Sequence, residues 1–301
     1  MAIIDNANLK VLNTSFNKIF NDALKSVEPE YQKVATVVTS NTASNTYGWL
    51  GEMPELTEWV GERDIKNFKT YDYNIPNKLF ESSIGVARVH IEDDNLGQYN
   101  MRFTSLARRA AQHPDKLVFD FLKNGDKNNC YDGKKFFATN HPVFAKHDGT
   151  GAKTDVANMV AGEQAAWFLL DTSQPLKPLI FQQRQAIELT AMTKLDDESV
   201  FMKDEFRYGV RARHNAGYGF WQMAYMSKQE LTPENFNAAV SAMMSQTADG
   251  GRPLNIKPTL LVVPPSLRAK ALEIVKAERL ANGETNINKD LVDVLVTQEV
   301  M

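Results

Sequence analysis

Apolar and polar positions along this chain change period several times, and each change marks an element. In "TSFNKIFNDALKSV" the apolar residues Phe16, Ile19, Phe20, Ala23, Leu24 and Val27 fall at helical spacing. Thr14 or Ser15 can cap that helix and Pro29 can stop it. A Val-Val-Thr run follows within "EYQKVATVVTSNTASNTYGWLG" and predicts a strand. In "RDIKNFKTYDYNIPNKLFESSIGVARVHIEDD" the alternating Ile65, Tyr71, Tyr73 and Ile75, then Phe80, Ile84 and Val86, predict a long two-stranded hairpin turning at "IPNK". Such a ribbon is marginal alone in water, so it is expected to lie against something.

The longest helical pattern covers 95–124. Phe103, Leu106, Ala107 and Ala110 form one stripe, and Leu117, Val118, Phe121 and Leu122 a second. Asp94 or Asn95 can cap it, Pro114 predicts a kink or break, and Gly125 predicts its end. Residues 126–157 read as a loop-rich excursion. Segment 166–183 reads as buried strands around a turn, and 200–227 as long strands bent at Gly217 and Gly219. The remainder predicts helix, strand, helix, strand. Thr232 caps the first helix with Pro233 at its first position, "PTLLVV" is a buried strand, "SLRAKALEIVKAERLANG" a helix ending at Gly283, and "LVDVLV" the last strand.

Composition narrows the class. The chain has 301 residues, 43% hydrophobic and 24% charged, as in a folded protein long enough for two ordinary domains or one elaborate one. A net charge of -3 argues against a dedicated nucleic-acid binder, though not against enclosing nucleic acid without gripping it. The single cysteine, Cys130, forms no internal disulfide and fits a reducing compartment. The start "MAIIDNANLK" lacks the basic and apolar regions of a signal peptide, and no run is long enough to span a bilayer. We therefore expect a protein made in the cytosol, without a membrane partner.

Candidate chemistry is thin. "DKNNCYDGKKFF" begins like a calcium loop, but Cys130 replaces a ligand and no glutamate closes it. None of His90, His113, His141, His147 and His214 falls in a zinc spacing, so no metal is expected. His141 before Pro142 reads as a packed turn residue, and Cys130 as a structural thiol. No serine occupies a nucleophile elbow, and "AGYGF" lacks a nucleotide fingerprint, so no cofactor is expected either. "EDDN" before the long helix reads as a cap, and Arg102, Arg108 and Arg109 as a solvated or inter-subunit face. Two functional alternatives stay open: an enzyme assembled from Cys130, Asp132 and His141, and a carbohydrate-binding module using Trp49 and Trp59.

Read together, "SNTYGWLGEMPELTEWVGER", "FESSIGVARVHIEDDNLGQY", "CYDGKKFFATNHPV", "DTSQPLKPLIFQ", "VFMKDEFRYGVRARHNAGYGFWQMAY" and "KPTLLVVPPSLRAKALEIV" resemble the major head subunit (gpT) family of Mu-like tailed phages and prophages. The resemblance covers nearly the whole chain in order. It implies an α+β capsid fold of the HK-ninety-seven type, with an N-terminal arm (1–45), an extended two-stranded loop (46–85) and a peripheral domain with a long spine helix (86–157). Strands of the axial and peripheral domains (158–230) would follow, then the axial domain (231–301), in an order that looks permuted relative to the fold's usual threading. The last segment is expected to share a sheet with part of 166–183 rather than to form a separate globule.

The resemblance also implies a non-enzymatic protein that self-assembles into pentamers and hexamers of an icosahedral shell around double-stranded DNA. Scaffolding, portal and decoration proteins would be its partners, and the virion, assembled in the host cytoplasm, its location. Trp49, Trp59, Phe16, Phe20, Arg102 and Arg109 are the candidate inter-subunit contacts.

Overall fold

The computed structural model describes residues 6–48, 72–93, 97–147, 149–279 and 283–301. In chain order the elements begin with α1 (Asn6–Lys25), β1 (Ala35–Thr39), β2 (Ser44–Thr46), β3 (Asn74–Pro76) and β4 (Lys78–Ala87). Next come α2 (Arg88–Glu92), α3 (Gly97–Lys123), β5 (His141–Phe144), β6 (Lys153–Val156) and β7 (Met159–Val160). The chain continues through β8 (Trp167–Leu170), β9 (Leu179–Met192), α4 (Glu198–Lys203), β10 (Glu205–Tyr218) and β11 (Ala224–Ser227). It ends with α5 (Pro233–Met244), β12 (Leu260–Val263), α6 (Arg268–Lys276) and β13 (Asp293–Val296).

Two sheets organise these elements. A four-stranded sheet runs β1-β9-β10-β4, and a five-stranded sheet runs β13-β12-β8-β11-β7. β9 and β10 are antiparallel partners from Arg207↔Met192 to Tyr218↔Leu179, with register shifts at Arg211/Arg213 and Arg213/His214. Their helix-side residues include Ile187, Leu189, Tyr208 and Val210, and α1 and α3 pack onto these. The inner half of β9, beginning Leu179-Ile180-Phe181, is buried on both faces, and its outer half alternates. That change marks where the sheet leaves the common core for a face open to solvent.

The stripe on α1 lies where the sequence places it, but the helix begins earlier, at Asn6, and ends earlier, at Lys25. Thr14 is therefore no cap: inside the helix its hydroxyl donates to the Lys10 carbonyl at 2.8 Å. α3 is one 27-residue helix that runs unbroken through Pro114. The missing N–H costs one hydrogen bond, while Phe103 and Ala107 before the proline and Val118, Phe119 and Leu122 after it are all buried. The expected cap at Asp94 or Asn95 lies outside the described residues. Next to Pro114, buried Asp115 accepts the Tyr31 N–H at 2.6 Å and fixes the turn that leads from α1 into β1.

The hairpin at "IPNK" is corrected. β3 pairs with β2, whereas β4 pairs with β10 over its full length, Ala87↔Glu205 to Lys78↔His214. Asn77 between them switches sheets: its N–H donates to Ala43 and its side chain to Thr42 and Ser40. Ile65 and Tyr71 lie outside the described residues. From Lys78 onward, the segment expected to be the second strand of the extended loop is therefore a strand of the four-stranded sheet. β8 and β9, read as one buried unit around a turn, belong to different sheets.

The C-terminal reading holds at the level of pairing. β12 joins β8 antiparallel and β13 parallel, so 260–263, 293–296 and 167–170 share one sheet. Thr232 caps α5 by accepting the Asn235 N–H. α6 stops at Lys276, short of the expected Gly283. The last turn, Gln298–Val300, packs back on α3 with Val300 buried, so the two ends of the chain meet the same long helix. Just past the end of β10, a Cβ on Gly219 would lie 2.6 Å from the Lys177 carbonyl oxygen, a backbone atom that cannot swing aside, so glycine suits the bend.

Candidate assembly surfaces and a buried Cys-Asp-His cluster

The four candidate contact residues that the structure describes do not share a surface. Phe16 is 1% exposed and stacks on Phe103 with ring centroids 4.3 Å apart, its edge toward Tyr208. Phe20 is fully buried with Ala23, Ala107 and Val210. Both expectations of inter-subunit contact are corrected. The helical stripe of α1 is used up inside its own subunit, where it closes the core over the four-stranded sheet. Arg102 and Arg109 are exposed on α3. The Arg102 guanidinium lies 5.3 Å from the Tyr99 ring centroid, and Arg109 rims a cavity of about 210 Å³ lined by Phe80, His113, Val210 and His214. Trp49 and Trp59 lie outside the described residues.

The loop excursion does bring Cys130, Asp132 and His141 together, with their ligating atoms all within 4.8 Å. Asp132 reaches all three of its partners from one turn. Its Oδ1 accepts the Cys130 thiol at 3.1 Å and the Lys134 N–H at 2.8 Å, and its Oδ2 pairs with His141 Nδ1 at 2.6 Å. The imidazole is fully buried and stacks on Trp221 at 3.9 Å, only 7° from parallel.

This geometry is wrong for a nucleophile. The thiol is bonded to the carboxylate rather than to the imidazole, and burial, then the Asp132 charge, push its pKa far up. Burial alone would raise Asp132 as well. The hydrogen bond and charge of His141, with the Lys134 N–H and the Cys130 thiol, outweigh that and hold the carboxyl below its usual range. The cluster is a buried hydrogen-bonded latch that pins the 130–141 loop onto β5. A thiol-specific reagent at pH 8 is accordingly expected to label Cys130 only after unfolding. Stoichiometric labelling of the folded chain within minutes would mean the thiol is accessible and activated.

The aborted calcium loop has a similar fate, since Asp126 accepts Lys228 Nζ at 2.6 Å. Sequence reading missed two features. One is α4, where Phe201 and Met202 are 83% and 69% exposed at the far end of the β9–β10 pair. The run "VFMKDEF" reads as the start of a strand, and only the preceding "DDES", a cap-like cluster, could have signalled a helix. The other is the contact of His113 and His214 with Phe80 between them, which joins three elements distant in sequence.

The chain matches the family described as Mu-like prophage major head subunit gpT over residues 9–300. It is 44% identical over 292 residues to the major capsid protein of Escherichia phage Mu, covering 96% of each chain. Among solved structures it is similar to the subunit in the procapsid of bacteriophage JBD30, with 55% identity, a TM-score of 0.88, and 98% of this chain and all of that one covered. It is also similar to the subunit in the JBD30 capsid decorated with minor capsid protein trimers, with 39% identity, a TM-score of 0.78 and both chains covered in full. Two sheets, a long helix across one of them, a family match over residues 9–300 and similarity along the whole length to subunits of capsids leave one conclusion: this chain is a phage capsid protein and belongs to the Mu-like major head subunit family.

Proposed function

We propose that this chain builds the head shell of a Mu-like phage or prophage, associating into pentamers and hexamers that close an icosahedral container around double-stranded DNA. The observation that carries the reading is the end-to-end similarity to subunits of a procapsid and of a capsid. Scaffolding and portal proteins are partners in this reading, with assembly in the host cytoplasm. A decoration protein is supported by the minor capsid protein trimers on the JBD30 capsid.

In the same reading the four-stranded sheet with α3 is the peripheral domain, and the five-stranded sheet with α5 and α6 the axial domain. Residues 1–45 would be the arm, and Trp49 and Trp59 anchors of the extended loop on a neighbour, since large aromatics supply much of the energy of such contacts. The core of α1 is tied to its own subunit, so any contact by the arm falls to residues other than Phe16 and Phe20.

Electron microscopy of the protein expressed with the scaffold of its phage tests the proposal. Closed particles or capsomer rings are expected. A strictly monomeric species at every salt and protein concentration would defeat it.

A further inference from the structure

α1 and α3 lie together on one face of the four-stranded sheet. Between them they carry eight Lys and Arg (Lys10, Lys18, Lys25, Arg102, Arg108, Arg109, Lys116 and Lys123) against three Asp, in a chain whose net charge is -3. All eight cations are exposed. Of the acids, Asp115 is buried and Asp120 is held by Lys116 at 2.8 Å, which leaves Asp22 as the one exposed, unpaired carboxylate on these helices among the described residues. The surplus is therefore a property of one layer, and the rest of the subunit is acidic.

The bare face of the same sheet is built differently. Arg211 sits in register between Glu188 on β9 and Glu81 on β4, and Arg207 Nε donates to Glu205 at 3.1 Å. Arg207 and Arg211 there have carboxylates beside them, whereas on the helix layer Lys116 is the one cation held in an ion pair among the described residues. A second copy of the helix layer would repel the first, so two such layers make a poor contact with each other. A polyanion fits. Double-stranded DNA presents one phosphate charge per about 1.7 Å of axis, and Arg and Lys that neutralise phosphates release counterions whatever the base sequence. Exposed Gln98, Ser105 and Gln112 lie among the arginines and add neutral hydrogen-bonding groups.

The geometry points to the α1–α3 layer as the surface of the shell that faces packaged double-stranded DNA, with Arg102, Arg108 and Arg109 meeting phosphates. This rests on the shell reading above. It gives Arg102 and Arg109 a polyanion as partner in place of a neighbouring subunit. The contacts are weak, independent of sequence and sensitive to salt, so the DNA can slide as it enters and leaves.

The test measures binding of the full chain to random-sequence double-stranded DNA between about 50 and about 200 mM salt, where each neutralised phosphate contributes about 0.9 to the slope of log K on log salt. The triple variant R102Q/R108Q/R109Q is expected to flatten that slope by about 2 to 3, and R207Q/R211Q on the bare sheet face to leave it unchanged. Particle formation by each variant is followed in parallel by electron microscopy. An unchanged slope in the triple variant, or a slope lost in the sheet-face variant, overturns the assignment. So does a triple variant that binds DNA normally but no longer assembles, which would make the arginines inter-subunit contacts. Failure of the unmodified protein to form particles is read without DNA, and counts against the shell reading instead.

Discussion

Phe103→Ala is expected to destabilise the subunit by about 3–5 kcal/mol, the usual cost of emptying a fully packed aromatic site. Phe103 has no exposed surface and makes contacts in two directions. It stacks on Phe16 of α1 at 4.3 Å and meets Tyr208 of β10 edge-on at 4.9 Å, 87° from parallel. Phe16 and Tyr208 also meet each other at 5.5 Å, so three elements share one aromatic cluster. Truncation at Phe103 removes two sides of that triangle at once and leaves a cavity that rigid helices cannot collapse into. Met101→Ala, two residues away on the same helix but 74% exposed, is expected to change stability by no more than about 0.5 kcal/mol. Urea unfolding of the two variants at neutral pH separates the cases. A loss below about 1 kcal/mol at Phe103 would show that the aromatic cluster does not hold the helices to the sheet.

The same cluster shows what a linear pattern can and cannot say. The stripe Phe16, Phe20, Ala23 was legible because helical period alone identifies a buried face. Its occupant was not. An apolar stripe on a polar lead fits a neighbour's surface or the chain's own core equally well, and the partners that decide, Phe103 and Tyr208, lie 87 and 192 residues downstream. The start of α1 was missed because Thr14 and Ser15 imitate a cap, although Leu9 and Leu12 already carry the stripe back from Phe16. β3 and β4 were misjoined for a related reason. Alternation predicts strands, but it does not name the strand on the other side, and the turn-like "IPNK" hides a change of sheet at Asn77.

Pairing that depends on buried apolar runs fared better. "LLVV" is buried at all four positions in β12, and a strand with no polar face must sit inside a sheet, which required a partner from earlier in the chain and found β8. Candidate chemistry was legible as residue types only. Cys130, Asp132 and His141 were picked out as a possible site, but whether the thiol bonds to the imidazole or to the carboxylate depends on one turn of loop geometry, and that choice separates a nucleophile from a latch.

Acid is expected to weaken the seam between α3 and the sheet before it reaches the carboxylates. His214 on β10 is 2% exposed, and its Nε2 has no hydrogen-bond partner among the described residues. Phe80, Phe181 and His113 surround it with ring centroids 4.8, 5.2 and 5.2 Å away. Burial first, then the His113 charge, hold its pKa down to about 4. His113 is displaced in the same direction, by burial and then by Lys116, with Asp120 opposing. Arg109 from α3 and Glu81 from β4 line the adjoining cavity, with Lys78 opposite His214 in register.

The imidazole of an unfolded chain takes its proton near pH 6.5, so between about 6.5 and about 4 the unfolded state binds more protons than the folded one. The contribution is therefore complete above about pH 6.5 and is lost as pH falls toward 4, amounting to as much as about 3 kcal/mol for His214. Asp132 acts in a lower window. Its carboxyl is held below the ordinary range, so its contribution persists above about pH 4 and is lost only beneath it. Urea midpoints at a series of pH values from 7.5 to 4.5 should hold down to about pH 6.5 and then fall for the unmodified chain. His214→Phe keeps an aromatic ring among the others but cannot take a proton, so its midpoints should fall much less across the same range. Parallel pH profiles for the two proteins would mean that the proton is taken up elsewhere, and that the seam between α3 and the sheet does not sense acid.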